Sequence, residues 1–261
     1  MRQEVSIELR HNQHSDCYHT AFMPPTSASP ELSGKTPPLY FWVWGFSILV
    51  ALIPTLWTTL DLQGASLFAG SNPAVASVNW WWVELINLYV PAVFRVGIAI
   101  ALVVWLVATI RKKSKSLRLA MAFLVLAGIL GPGALVNLGF KDNWQRARPY
   151  QVENFGGPQK FTRAAIVTDQ CNNNCSFVSG HVACGFFFTS LMLIYRKRRV
   201  AWAAAGTLAG LVIGFARMSA MAHWFSDVLW AYPITLLASW LVWKALHWSY
   251  GTKASPSVTV G

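Results

Sequence analysis

The sequence predicts an all-α membrane protein, a six-transmembrane-helix bundle, on three observations. Of its 261 residues 54% are hydrophobic and only 12% charged, with fourteen Trp and a positive mean hydropathy, a composition unlike that of a soluble domain. Six apolar stretches, at 40–60, 89–110, 119–140, 177–195, 200–216 and 224–246, match the roughly 20 residues a helix needs to cross the hydrocarbon of a bilayer. Lys and Arg gather in alternate connections between those stretches, as in chains threaded with their positive loops inside.

Taken in order, residues 1–38 are rich in Ser, Thr, Pro and His and lack the apolar core of a signal peptide. They read as a disordered cytoplasmic tail, followed by an uncleaved anchor at 40–60. His11, His14, Cys17 and His19 fall in that tail, where no fold would hold them around an ion, and no metal site is assigned. The first outer loop, 61–88, has no Lys or Arg and carries "NWWW" (79–82), an interfacial aromatic belt. Glu84 and Arg95 stand eleven residues apart, about 16 Å along a helix, so each lines a substrate entrance or meets a partner other than its neighbour. Gly131, Pro132 and Gly133 in span three predict a kink or a close helix approach. Cys171 and Cys175 flank "NNN" in the second outer loop, and a local disulfide and two free thiols both stay open. Cys184 is a small apolar filler in span four. One membrane domain, 39–248, results, with a short cytoplasmic tail at 249–261; oligomeric state is not legible.

With the N-terminus cytoplasmic, fourteen of the twenty-one Lys and Arg lie inside, five of them in "RKKSKSLR" (111–118) and four in "RKRR" (196–199). The second outer loop breaks the rule by placing Lys141, Arg146, Arg148, Lys160 and Arg163 outside. A bound anion is one reason to tolerate them, and the indifference of long loops to charge is another. The net charge of +11 is accounted for by topology and by anionic headgroups, so nucleic acid is excluded as a partner.

Three polar clusters interrupt the apolar pattern, and this topology brings all three to the outer face. The first is Lys141, six residues, then Arg148-Pro149; the second is "SFVSGH" (176–181); the third is Arg217, five residues, His223, three residues, Asp227. Singly, Lys141 and Arg148 read as snorkelling cations, Ser179-Gly180 as a turn, and a lone His as a packing residue. Together they read as a site, because ionisable groups at membrane depth are costly. His223 and Asp227, four apart, share a helix face, so the carboxylate takes the proton of one ring nitrogen and leaves the other as a nucleophile. Lys141, Arg148 and Arg217, with the N–H groups at a Ser179-Gly180 helix start, suit a tetrahedral oxyanion such as phosphate. His181 is then placed to protonate the leaving oxygen. Neither a Walker-type loop nor a carboxylate cluster for paired Mg²⁺ is present, which favours phosphoryl transfer through a phosphohistidine with no metal and no cofactor.

These motifs resemble the three-part signature of the type-2 phosphatidic acid phosphatase family: Lys-x6-Arg-Pro, Pro-Ser-Gly-His and Ser-Arg-x5-His-x3-Asp. The first part matches as Lys141, Arg148 and Pro149. The second has Val178 where the family has Pro, and the third has Ala216 where it has Ser; neither position supplies a catalytic group. The resemblance covers roughly residues 40–246 and implies the six-helix fold of that family. It also implies that His223 is the nucleophile, Asp227 its orienter and His181 the acid, with Lys141, Arg148, Ser179, Gly180 and Arg217 holding phosphate. A narrower likeness, in "GPGALVNLGFKDNW", "QCNNNCSFVSG" and "RMSAMAHWFSDV", is to bacterial lipid A phosphatases, especially of the 4′-phosphatase type. It implies an inner-membrane lipid phosphatase with a periplasmic active site. Undecaprenyl diphosphate or phosphatidylglycerol phosphate is the alternative substrate, and a non-catalytic lipid-binding or transport protein the alternative class. With lipid A as substrate, Arg146, Lys160 and Arg163 would contact sugar, acyl carbonyl or the second phosphate, or would touch only anionic lipid.

Overall fold

The structure, a computed structural model, describes residues 34–70 and 80–251; the tail cluster of His11, His14, Cys17 and His19 lies outside them. Among the described residues all regular structure is helical. The helices are α1 (Pro38–Leu56), α2 (Thr59–Ser66), α3 (Trp81–Ile110), α4 (Lys115–Gly128), α5 (Gly180–Phe186), α6 (Arg199–Ser219) and α7 (Phe225–Gly251). Pro38 opens α1 where a missing N–H costs nothing, and Ser114 caps α4 by accepting a bond from the Leu117 N–H at 3.3 Å. Beyond Gly128 the α4 helix widens into a π-helical stretch, Ile129–Lys141. Pro132 supplies no donor there, and Asn137 Nδ2 donates to its carbonyl at 2.7 Å, a five-residue step that fits the wider turn.

Among the described residues five helices are long and apolar enough to cross a membrane: Pro38–Leu56, Trp81–Ile110, Lys115–Lys141, Arg196–Ser219 and Phe225–Ser249. The remaining apolar stretch, expected as a full span at 177–195, is a shorter rod. Seven α-helical residues, Gly180–Phe186, continue as seven of 3₁₀-helix, Phe187–Leu193, reaching about 25 Å in all. It is enclosed by α3, the π-helical stretch Ile129–Lys141, α6 and α7. Val182, Ala183, Phe186, Met192 and Leu193 are buried in the main core with Tyr40, Phe123 and Trp243, so protein and not lipid sets its length. Conversely α3 faces outward along most of its 30 residues, with Val93, Val96, Ile100, Val103 and Ile110 exposed. An apolar surface of that extent is what a membrane helix presents to lipid or to a partner.

Small residues hold the centre together. Gly206 and Gly210 of α6 face the rod: a Cβ on Gly206 would lie 2.1 Å from the Thr189 nitrogen, and one on Gly185 would lie 2.8 Å from the Gly210 Cα. Backbones thus meet directly, as membrane helices do at small residues. Where they meet, Tyr232 Oη bonds Thr207 Oγ1 at 2.6 Å and Thr189 Oγ1 at 3.1 Å. Gly206→Ala should force these helices apart and lower the thermal midpoint in detergent, as read by loss of monodisperse protein on heating; Ala at the outward-facing Gly45, with nothing within 4 Å, is the neutral control.

Candidate active site

The expected site residues sit at one end of the bundle: Lys141 ends the π-helical stretch and Arg148 follows it, Ser179, Gly180 and His181 start α5, Arg217 is in the last turn of α6, His223 in the connection after it and Asp227 in the first turn of α7. Gln145, at φ 50°, turns the chain out of the short helix Asp142–Trp144. Pro149 then restricts Arg148 to extended backbone, at φ −79° and ψ 159°. The Arg148 guanidinium points inward: Nε and Nη2 donate to the Asn174 carbonyl at 3.0 and 2.7 Å, Nη2 also to Asn174 Oδ1 at 3.0 Å, and Nη1 to the Ala222 carbonyl at 3.3 Å. Lys141 Nζ donates to the same Oδ1 at 2.9 Å. Asn174 lies between Cys171 and Cys175, which are joined as a disulfide with their Cα atoms 5.7 Å apart.

His223 is 1% exposed. Its Nδ1 lies 2.8 Å from the Ser176 carbonyl oxygen. A ring nitrogen facing a carbonyl must carry the proton, so Nε2 keeps its lone pair. That Nε2, Ser179 Oγ and Arg217 Nε are buried and meet no hydrogen-bond partner among the described residues. The expected acceptor for Nδ1, Asp227, is on the same side at 3.7 Å, but Ser176 takes the bond. The Asp227 carboxylate is otherwise engaged: Oδ2 accepts from Ser176 Oγ and from the Trp224 N–H at 3.0 Å, and Oδ1 accepts from Arg146 Nη1 at 2.6 Å. Gly180 opens α5 where a Cβ would lie 2.8 Å from Asn137 Oδ1. His181 Nε2 bonds the Asn87 carbonyl at 3.1 Å, and Arg217 Nη1 donates to the Asn87 side chain.

Burial pushes the His223 imidazole well below its ordinary value, and the charges of Arg148, Arg217 and Lys141 and the neighbouring His181 add to the effect. Lys141 and Arg148 meet at Asn174, His181 and Arg217 meet at Asn87, and Arg148 also reaches the carbonyl of Ala222, next to His223. Since the folded group binds its proton less readily than the unfolded one, the unfolded state takes up more protons below the unfolded value of about 6.5. Its contribution to stability is complete above that pH and is lost on acidification. The thermal midpoint should fall as the pH drops below about 6.5, with a shallower fall in His223→Gln.

Three comparisons bear on the identity of this arrangement. Residues 122–250 match the model of the PAP2 superfamily, a stretch that contains all eight expected site residues. That stretch belongs to the PAP2 superfamily. Within it, the chain is similar to three curated proteins named Lipid A 4'-phosphatase. It is 36% identical to that of Francisella tularensis subsp. novicida (strain U112) over 132 residues, which is 50% of this chain and 60% of the relative. The Rhizobium leguminosarum protein is 35% identical over 136 residues, 52% of this chain and 55% of the relative; the Rhizobium etli protein is 35% identical over 119 residues, 45% of each chain. The chain thus spans about half the length of the curated relatives it matches. No solved structure matches it.

Around the PAP2 motifs stand residues that the spacing of motifs does not announce. Arg146 is fully buried, with Nη2 at 2.8 Å from Asp61 Oδ2, Nη1 at 2.8 Å from Ser226 Oγ, and Nε at 2.8 Å from the Thr162 carbonyl. Asp61, on α2, also accepts from the Ser226 N–H at 2.8 Å and its Oγ at 2.6 Å. Burial raises the Asp61 carboxyl above the usual range, against the pull of the Arg146 charge. Arg146 is therefore spent on two carboxylates and is not available to a sugar or second phosphate; Lys160 and Arg163 are exposed. Asn87, on α3, is the second such residue, touching both His181 and Arg217. An acidic side chain just past the first span was the available signal for Asp61; Asn87 had none.

Two cavities, each about 620 Å³, adjoin α5. One is lined by Arg95, Asn137, Lys141, Gly180 and His181, and the other by apolar side chains that include Val93, Phe94, Phe187 and Leu191. Arg95 makes no hydrogen bond or ion pair among the described residues.

Proposed function

We propose that this chain is a membrane lipid phosphatase that removes the 4′-phosphate monoester of lipid A at the periplasmic face of the inner membrane, through a phosphohistidine and without a metal. The observation that carries the proposal is the buried His223 Nε2 lone pair beside three cations and a second imidazole. In the first step Nε2 attacks phosphorus and the bond from phosphorus to the sugar oxygen breaks. Burial and the Arg217 charge hold the His181 imidazole down at about 4 in the free site, so it takes up its proton with the bound phosphate dianion. With Nε2–H on the Asn87 carbonyl it then offers Nδ1–H to the sugar oxygen. Positive charge then develops on the His223 ring, where the Ser176 carbonyl holds Nδ1–H and the Asp227 carboxylate stands 3.7 Å away. In the second step water attacks phosphorus, gives its proton to His181, and the Nε2–phosphorus bond breaks. Lys141, Arg148 and Arg217, with Ser179 and Gly180, hold the phosphoryl oxygens throughout. Among the described residues no three His, Cys, Asp or Glu side chains gather as a metal site.

The curated relatives' names support lipid A and its 4′-phosphate as substrate, and the asymmetry of Lys and Arg supports the periplasmic face. The neighbouring cavities suit a lipid, with phosphate at Lys141 and His181 and an acyl chain among the apolar side chains. Arg95, about 12 Å along α3 from Asn87, would meet a polar atom below the phosphate. Arg95→Leu should raise KM for the lipid severalfold and leave hydrolysis of p-nitrophenyl phosphate unchanged. Mass spectrometry of lipid A after incubation with the purified protein tests the whole reading. Loss of the 4′-phosphate in the presence of chelators is expected. Loss of the 1-phosphate, or turnover of undecaprenyl diphosphate or phosphatidylglycerol phosphate alone, would replace the substrate, and no hydrolysis of any of them would remove the activity.

A further inference from the structure

We propose that Asn174, held between the disulfide-linked Cys171 and Cys175, is a positioning residue that sets Lys141 and Arg148 for the phosphate; the inference deepens the phosphatase reading and rests on it. Lys141 and Arg148 are long, flexible and of like charge, so nothing in their own stereochemistry makes them converge. Asn174 supplies what they lack. Its Oδ1 accepts from Lys141 Nζ at 2.9 Å and from Arg148 Nη2 at 3.0 Å, while its main-chain oxygen sits in the Arg148 fork, 3.0 Å from Nε and 2.7 Å from Nη2.

Both oxygens reach the two cations because the residue is in the left-handed region, at φ 50°, which Asn tolerates better than most side chains. The disulfide closes the turn on either side, and both of its half-cystines are buried. The next residue continues the pattern: the Ser176 carbonyl takes the His223 Nδ1–H, and its hydroxyl meets Asp227. One run of six residues, 171–176, therefore touches two cations, the imidazole and the carboxylate.

The choice of an amide has an electrostatic reason. A carboxylate at this position would pair with the cations and cancel the charge that attracts phosphate. A neutral oxygen fixes both donors and leaves their charge intact. Asn174→Gly and Asn174→Asp separate the two effects, since Gly keeps the left-handed backbone and loses Oδ1, whereas Asp keeps the oxygen and adds a negative charge.

The test uses the full chain in detergent, with orthovanadate inhibition of p-nitrophenyl phosphate hydrolysis and the rise in thermal midpoint with inorganic phosphate as readouts. Asn174→Gly should weaken vanadate about tenfold and raise KM more than it lowers kcat, and Asn174→Asp should weaken it further. Reducing the disulfide with dithiothreitol, alkylating the freed thiols and removing the reductant before vanadate is added should weaken vanadate in the native chain and have a smaller effect in Asn174→Gly, because the link acts through Asn174. Native vanadate affinity in both variants would overturn the proposal, as would a loss confined to kcat. Should the variants be recovered poorly, the reduced native protein decides: unchanged vanadate inhibition on reduction overturns the proposal. The phosphate-induced midpoint shift needs no turnover, so a chain that hydrolyses nothing would sink the phosphatase reading and still report on Asn174.

Discussion

Replacing His223 with Ala should lower phosphate release from the lipid by at least about a thousandfold, since removal of a nucleophile leaves only the binding and electrostatic part of catalysis. His181→Ala should behave differently, and the difference identifies the roles. The sugar oxygen of a lipid phosphate is a poor leaving group that needs a proton, so losing the acid costs roughly 10²- to 10⁴-fold. The p-nitrophenolate ion leaves without one, and its release should fall only severalfold. Rapidly quenched His181→Ala should also carry an acid-labile phosphoryl group on His223. Equal losses on both substrates would show that His181 is not the acid, and a His223→Ala protein that still turns over lipid would show that the nucleophile lies elsewhere.

Arg146→Ala should be the most destabilising single change in the chain. Arg146 is fully buried and holds Asp61 at 2.8 Å and Asp227 at 2.6 Å, with its guanidinium 5.3 Å from the Trp224 ring and 5.8 Å from that of Phe161. Removing it leaves two desolvated carboxylates facing one another without a cation. Breaking a buried pair typically costs about 3–5 kcal/mol, which for a chain of this size is a fall in thermal midpoint of roughly 6 to 20 °C. Differential scanning fluorimetry in detergent reads this directly. Asp61→Asn should be milder, because the amide oxygen still accepts from Arg146 and Ser226 and because burial already opposes the charged form of that carboxyl. A Arg146→Ala protein as stable as the native chain would mean that water reaches the network.

The membrane helices were legible because their signal is length and apolarity, which survive in one dimension. The spacing Lys141-x6-Arg148 and Arg217-x5-His223-x3-Asp227 was legible because each pair is bridged by local chain geometry. What escaped was set by neighbours distant in sequence. Asp61 and Arg146 are 85 positions apart, and Asn87 and Arg217 are 130 apart, so nothing in the spacing of either pair foretells the contact. Nor could an apolar run at 177–195 disclose that it tightens into 3₁₀-helix after Phe186, since that depends on the surrounding helices. The orientation of His223 shows the same limit in miniature. A separation of four put Asp227 on the correct side of the ring, but the hydrogen bond went to a main-chain oxygen of a loop 47 positions away.

The carboxylate on α2 also bears on how much of the polypeptide is needed. Residues 122–250 contain every motif position, yet the counter-ion at 61 and the amide at 87 are contributed from upstream of that boundary. A truncated fragment beginning near 115 should accumulate as an aggregate, and co-expressing the missing upstream half as a separate polypeptide should rescue it by complementation.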